Sequence, residues 1–553
     1  MSCIRNRPAW MHRGISCRTI IQAKGVYSLM SKRVIIIGAG LAGLTAAHAA
    51  AKQGATVLVV DRGPIGIGTN SALANGFFAG PSEKYSPEDY IRDTLQAGRG
   101  LNREFMVRLV AREAPSAFQR LRSAGVLLKE RGAQRCVVSP EPSVIPGVAL
   151  MRKLADLAKS LEGVHVLPGF QVTELPCHNG KVCGVRGFNR KGEEMDIDAA
   201  AVVLAAGGAG AVYRRHDNQK KILGQGYSLA ARAGLDLWDM EFVQFFPLVL
   251  ADPRLPALIV YPPFAREAKL VDSAGQSILE KHGLGDVNDA IVKKRDSFSA
   301  LLFEEAQAGG VFLDLRGVPA SAWDVHPLAL FKKLRFNFRE KPVAVAPAVH
   351  FTMGGLRTGE TCETDIGGLF ACGEILWGLH GANRMGGNAL TECVVSGAVA
   401  GRSAAERALG EMPVASCREK PRQLPATCTV PEAGEVRDIL SAIRATAWEC
   451  AGIVRSDEGL RRGMERVGAI EDRLMRLGSA GPGGRSALED ARAGVLVLHA
   501  ILQASLGRRE SRGSFLRSDF PDEDDGNWRR HSCLGYDANT NAFAVKYLPV
   551  EGA

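Results

Sequence analysis

The apolar positions of this chain change period several times, and the changes divide it. Arg33–Ala47, RVIIIGAGLAGLTAA, begins as a branched apolar run and passes into small residues at helical spacing. A second run, VLVVDRG, follows at Val57–Gly63. Uninterrupted runs of this kind predict strands covered on both faces, so the stretch reads as a βαβ unit. Helical periods continue through Pro87–Gly125 and Leu150–Leu161. From Val164 to Val203 short alternating runs turn at His178-Asn179-Gly180 and Arg190-Lys191-Gly192, predicting a small sheet that returns to a core strand at Ala200–Leu204. Gly224-Gln225-Gly226 opens another helix, and residues 250–345 carry proline-rich loops with one amphipathic helix near Val287–Gln307. An apolar helix at Leu390–Ala405, a polar stretch at Gly410–Glu435, a helical bundle over Val436–Leu506 and a polar tail complete the chain.

The pattern predicts an α/β protein: a Rossmann-like nucleotide-binding domain, an inserted α+β capping domain and a C-terminal helical domain. The expected divisions are an N-terminal extension (1–31), the first part of the binding domain (32–249), the cap (250–347), its second part (348–410), a linker (411–435), the bundle (436–510) and a tail (511–553). A chain of 553 residues is too long for one core, which agrees with several domains. The formal charge of +10 suggests a nucleic-acid partner until it is located. Seven Lys and Arg and no acid fall in the first 33 residues, leaving about +3 elsewhere and no case for nucleic acid. That basic segment reads either as an organelle transit peptide or, preferably, as an extension before a true start at Met30. The expected location is cytoplasmic, with organellar the alternative. No stretch reaches the roughly 18–20 apolar residues of a membrane span, so membrane association would need a partner. Twelve cysteines without a CxxC pair read as reduced thiols, and predict neither a metal site nor an iron–sulfur cluster held by this chain.

The chemistry begins at Gly38-x-Gly40-x-x-Gly43. Gly38 permits a tight strand-to-helix turn, Gly40 lets backbone approach a pyrophosphate, and Gly43 lets the helix lie close on the strand. Phosphates would meet the positive helix N-terminus, and Asp61, ending the second strand, would bond a ribose hydroxyl. Ala205-Ala206-Gly207-Gly208-Ala209-Gly210 is a second glycine turn where backbone can meet the same cofactor.

These motifs and their order resemble the succinate dehydrogenase/fumarate reductase flavoprotein family, which includes L-aspartate oxidase. The resemblance runs from Lys32 to Val550 and rests on GAGLAG, AAGGAG, MEFVQF-P, LDLRG (Leu313–Gly317), HFTMGG, GLFACGE, HGANRMGGNAL, Glu510–Gly513 and DDGNWRRHS (Asp524–Ser532). It implies FAD, a mobile cap over the isoalloxazine and a helical C-terminal domain. Cofactor contacts are implied at Asn70, Ser71, Ala206, Gly207, Gly208, Glu374, Asn388 and Leu390. Catalytic roles are implied for His350 and Arg384, which would grip a carboxylate, and for Arg295, which would deliver a proton.

The departures from the family pattern carry further expectations. Members with covalent FAD place a histidine where GTNSALANG has Asn70, so the flavin here is expected to be noncovalent. The QFHP histidine is Phe246, and the following Thr is Leu248; the RGEGG glutamate falls near Arg266 or Glu267. A second substrate carboxylate would face Phe246 and Leu248, which donate no hydrogen bond, at a cost of several kcal/mol. The expectation is hydride transfer at a C–C or C=C bond activated by one carboxyl or carbonyl group, with electrons passed to a separate iron–sulfur subunit. Two alternatives stand beside it: reoxidation by oxygen, as in aspartate oxidase, and an FAD-carrying electron-transfer or scaffold protein without substrate chemistry.

Overall fold

The computed structural model describes residues 33–261, 264–410, 434–478 and 482–550; the N-terminal extension and most of the expected linker lie outside them. The chain opens with β1 (Arg33–Ile37), α1 (Leu41–Lys52) and β2 (Thr56–Asp61), followed by α2 (Glu104–Ser123) and α3 (Pro146–Ser160). Next come β3 (Val164–Pro168), β4 (Ala201–Leu204), α4 (Gln225–Arg232), β5 (Val243–Leu250) and β6 (Lys269–Asp272). Then follow α5 (Arg295–Ala308), β7 (Val311–Asp314), β8 (Val343–Thr352), β9 (Leu369–Ala371) and α6 (Asn388–Gly410). The last elements used below are α7 (Glu435–Cys450), α8 (Asp457–Arg476), α9 (Pro482–Gly507), β10 (Arg530–Asp537) and β11 (Ala542–Pro549).

The first sheet has the order β9-β4-β1-β2-β3, all parallel. Every residue of β1 and β4 is buried, which is why their sequences are unbroken apolar runs. Helices α1 and α6 cover one face at close range. A Cβ added at Gly397 would stand 2.5 Å from the Ala42 carbonyl oxygen, and one at Gly401 2.3 Å from that of Ala46. Small residues on both helices therefore set the distance between them.

The second sheet is antiparallel, in the order β5-β8-β7-β6. With α5 it encloses a core of its own, including Phe246, Leu248, Phe298, Leu313, Trp323 and Val345. The helix expected over Val287–Gln307 is two helices, Val287–Lys293 and α5, broken at Lys294 (φ −131°, ψ 29°). The break makes Arg295 the first residue of α5.

α7, α8 and α9 pack together over the first sheet's core. The tail returns to the body: β10 pairs with Leu237–Trp238 and with β11. A buried ionic network fastens it. Arg508 Nε donates to Glu241 and its Nη1 to Glu510, both at 2.8 Å, and Arg512 Nε donates to Glu510 at 2.9 Å. No helix among the described residues is long and apolar enough to cross a membrane. The expectation of reduced thiols throughout does not hold, since Cys183 is disulfide-bonded, while the other cysteines among the described residues are free.

Candidate active site

The glycine turn between β1 and α1 has the geometry its sequence demands. Gly38 has φ +107°, and a Cβ there would meet the Ala205 carbonyl oxygen at 2.3 Å. A Cβ at Gly43 would lie 2.0 Å from the Gly38 carbonyl oxygen. The first turn of α1 carries no acidic residue, so its positive end is uncompensated and suited to phosphate. Asp61 accepts from Ala39 N–H at 2.8 Å and Gly63 N–H at 2.6 Å, tying the end of β2 to the turn. Gly207 has φ +75° with open space where a side chain would be. These residues fit a dinucleotide such as FAD: Gly38 and Gly43 where a Cβ would collide with backbone, a helix N-terminus with no acidic residue in its first turn, and a carboxylate at the second strand end. Ser71 links the turn to what lies beyond it, because its Oγ accepts from Leu41 N–H at 3.1 Å.

Beyond Ser71 opens a cavity of about 910 Å³ whose wall includes Asn70, Ser71, Glu374, Leu390, Arg295, His350 and Arg384. The chain brings these expected residues together from five separate stretches. Arg384 is only 5% exposed, and no carboxylate among the described residues lies within ion-pair distance of it. Its Nε lacks a hydrogen-bond partner among the described residues, and the guanidinium sits 4.6 Å from the Phe351 ring centre. Burial, aided by nearby Arg295, lowers its pKa to about 10. Arg295 is held by its Nη2, which donates to Asn383 Oδ1 and to the Arg384 carbonyl, each at 2.7 Å. Asn383 is the hub of this corner: its Oδ1 also accepts from Gln244 Nε2 at 2.9 Å, and its Nδ2 donates to Asp296 at 2.7 Å. Burial pushes the Asp296 carboxyl above its usual range.

His350 is presented by a bulge. In the β5/β8 ladder Gln244 pairs with Phe351 and Phe245 with Val349, so His350 is the extra residue. Its carbonyl accepts from Asn218 Nδ2 at 3.2 Å, and its Nδ1 lies 2.7 Å from Asp217 Oδ2. With Asp217 ionised, that contact puts the proton on Nδ1 and leaves Nε2 for a ligand. Asn70 belongs to the same edge: its Nδ2 donates to Asn218 at 2.7 Å, and its Oδ1 accepts from Gln219 N–H at 2.8 Å.

Several expectations need correction. Phe246 lines the cavity, but Leu248 does not; it is fully buried in the cap core. A second bulge is the reason: Phe246 pairs with Ala348 but Val249 with Ala346, so Leu248 leaves the face that alternation would give it. Arg266 and Glu267 are exposed and absent from the cavity wall. The segment's inward residue is Tyr261, whose ring stacks on Phe77 (4.8 Å) and on Phe246 (5.9 Å). Asn388 is fully buried at the start of α6, donating to Thr94 Oγ1 at 3.3 Å, and takes no part in the wall. Glu374 accepts from Thr352 N–H at 3.2 Å, beneath Gly208, where a Cβ would lie 2.0 Å from its Oε1. Burial raises its carboxyl pKa to about 7.

The reading of the sequence missed Asp217, Asn218, Tyr261 and Phe77. Only a register between β8 and residues 215–218 reveals the first two, since Val349 N–H donates to the Arg215 carbonyl and Asp217 N–H to that of Val349. Asn383 was within the HGANR motif, where its spacing from Arg384 was the available signal.

Comparison with known proteins identifies relatives over most of the chain. The FAD binding domain family matches residues 33–390, and the fumarate reductase flavoprotein C-terminal family matches 441–553. The chain is 33% identical to an L-aspartate oxidase of Agrobacterium fabrum, over 90% of this chain and 93% of that protein. It is 29% identical to a subunit of the fumarate reductase (CoM/CoB) of Methanothermobacter marburgensis, over 91% of this chain and 96% of that one. A mutant FrdA of the E. coli quinol fumarate reductase superposes with a TM-score of 0.81 at 25% identity, over 94% of this chain and 97% of that one.

Proposed function

We propose a function that proceeds from one premise: the chain belongs to the succinate dehydrogenase/fumarate reductase flavoprotein family and is an FAD-dependent oxidoreductase. Its reaction moves hydride to or from a carbon–carbon bond activated by an adjacent carboxyl or carbonyl group. The observation that carries this reading is the Arg384 guanidinium, buried in the cavity wall without a carboxylate ion-pair partner among the described residues, with Arg295 beside it and His350 in the same wall. A buried cation left so is costly, and an arriving anion relieves the cost.

Bound FAD supplies the two-electron chemistry. The chain's own groups do the rest. Arg384 offers a planar fork to one substrate carboxylate, and His350, its ring oriented by Asp217, adds a hydrogen bond from Nε2–H when the imidazole is protonated. Both stabilise the negative charge that develops on that group as the neighbouring bond gains or loses hydride. Arg295, fixed at the start of α5 by Asn383, exchanges the proton at the adjacent carbon. The cap closes the cavity roof and keeps water out.

The flavin is held without a covalent bond. The position of the bonding histidine is Asn70, and both ends of its amide are engaged by Asn218 and Gln219. Acid precipitation is expected to leave the yellow colour in the supernatant. The electron partner is a separate iron–sulfur protein, a reading supported by a relative that is itself one of the subunits of a fumarate reductase. Reoxidation by oxygen is favoured by the 33% identity to L-aspartate oxidase, and oxygen consumption during turnover separates the two. Anaerobically reduced protein mixed in a stopped-flow device with 2-enoates should reoxidise within seconds. Protein that stays reduced with all of them is an electron-transfer or scaffold protein instead.

A further inference from the structure

The cavity has two chemically opposite walls. One holds the guanidinium groups of Arg384 and Arg295 and the His350 imidazole. The other is a row of rings, Phe77 on Tyr261 on Phe246, continued by Leu258, Ile259 and Ile291. The walls meet where Phe246 touches the His350 ring, 5.7 Å between centroids at 61°. We propose, resting on the function above, that the site takes a monocarboxylate whose β-carbon carries a flat apolar group, an arylacrylate or its saturated counterpart. Phe246, Tyr261 and Phe77 are the specificity-determining residues.

A short diacid gripped by Arg384 would aim its second carboxylate at this ring row. Phe246 and Phe77 donate nothing, and the Tyr261 hydroxyl offers one hydrogen bond to a group with about four acceptor sites. Burial already raises the Tyr261 pKa, so the hydroxyl stays neutral and supplies no charge. The other cations of the wall, Arg99 and Arg131, are exposed and surrounded by solvent, where their attraction is screened. An aryl group, by contrast, gains ring–ring contact with Phe246 and Tyr261 and removes apolar surface from water on both sides. The same rings that penalise a diacid reward an aromatic monoacid.

Binding separates these cases without turnover. Anaerobically reduced holoprotein is titrated calorimetrically with 3-phenylpropanoate, butanoate and succinate, whose C–C bonds are already saturated and so cannot take its electrons. The expected order is 3-phenylpropanoate, then butanoate, then succinate, with the first at least about tenfold tighter than the last. Arg384→Gln should weaken the first two acids by more than about tenfold. Phe246→His should narrow the preference over succinate by about tenfold, and Phe246→Leu should weaken 3-phenylpropanoate more than butanoate. If a variant does not fold, the order of the three acids on the natural chain decides. Succinate binding as tightly as 3-phenylpropanoate overturns the substrate class while leaving the oxidoreductase reading in place. No binding of any acid, together with no reoxidation by cinnamate or fumarate, overturns both.

Discussion

Asp217 and Glu374 show what single buried groups contribute here. Asp217 touches His350 and not the cavity's far wall, so its role is positioning. Asp217→Asn should lower kcat by at least about tenfold with little change in KM, because the imidazole loses its fixed tautomer. A stopped-flow pH profile checks this, since a purely structural loss would not move the apparent pKa of the reaction. Glu374 affects stability. Its carboxyl pKa is raised to about 7, so the folded chain binds that proton more tightly than the unfolded one. The stabilisation is complete below the unfolded value and is lost as pH rises through about 7. Flavin-free protein should therefore lose stability between pH 5 and pH 8, by at most about 3 kcal/mol, and Glu374→Gln should flatten that part of the curve. Thermal melts at a series of pH values decide it. His350, Arg384, Arg295 and Glu374 were all legible in the sequence because they sit in contiguous motifs. Asp217 and Tyr261 were not, because they reach the cavity through pairings between distant segments.

At the scale of elements, backbone approach and strand register do the positioning. Gly38 and Gly43 admit no side chain, and Gly43→Ala would force α1 away from β1 against a contact of 2.0 Å. Purified G43A is expected to hold less than about a tenth of the natural flavin and to melt several degrees lower, measured by absorbance and calorimetry. Strand identity was readable from the apolar runs, and so was the helix around Val287–Gln307, apart from its interruption. The two bulges in the β5/β8 ladder were not readable. One turns His350 into the cavity edge, and the other sends Leu248 into the cap core, although its parity with Phe246 suggested a shared face. A bulge adds one residue to one strand, and nothing in local apolar alternation marks which residue that is.

Across the whole molecule, the tail and helical region are joined to the FAD-binding half by charge as well as by apolar packing. Glu241 lies just before β5, accepts from Arg508 at 2.8 Å and from Ser532 Oγ at 2.6 Å, and is fully buried. Glu241→Gln would leave Arg508 with Glu510 as its remaining ion-pair partner among the described residues and Asp239 nearby. The expected loss is about 3–5 kcal/mol in urea unfolding, with the flavin absorbance of the folded protein unchanged. The network joins residues from Glu241 to Ser532, so no window of the sequence could display it. The MEFVQF and ESRG motifs nonetheless contain two of its carboxylates, Glu241 and Glu510.

The sequence by itself determined the dinucleotide turn, the α/β architecture and the family, because these rest on local demands: positive φ, absence of a Cβ, and apolar runs long enough to be covered on both faces. Its resemblance to that family also carried the expectation that Asn70 and Phe246 stand where imidazoles occur. The tertiary structure alone decided which side chains reach the cavity, placing Tyr261 there in place of Arg266 and Glu267 and pairing Asp217 with His350. That choice depends on strand register and on one extra residue in a ladder, which are settled by packing between segments far apart in the chain.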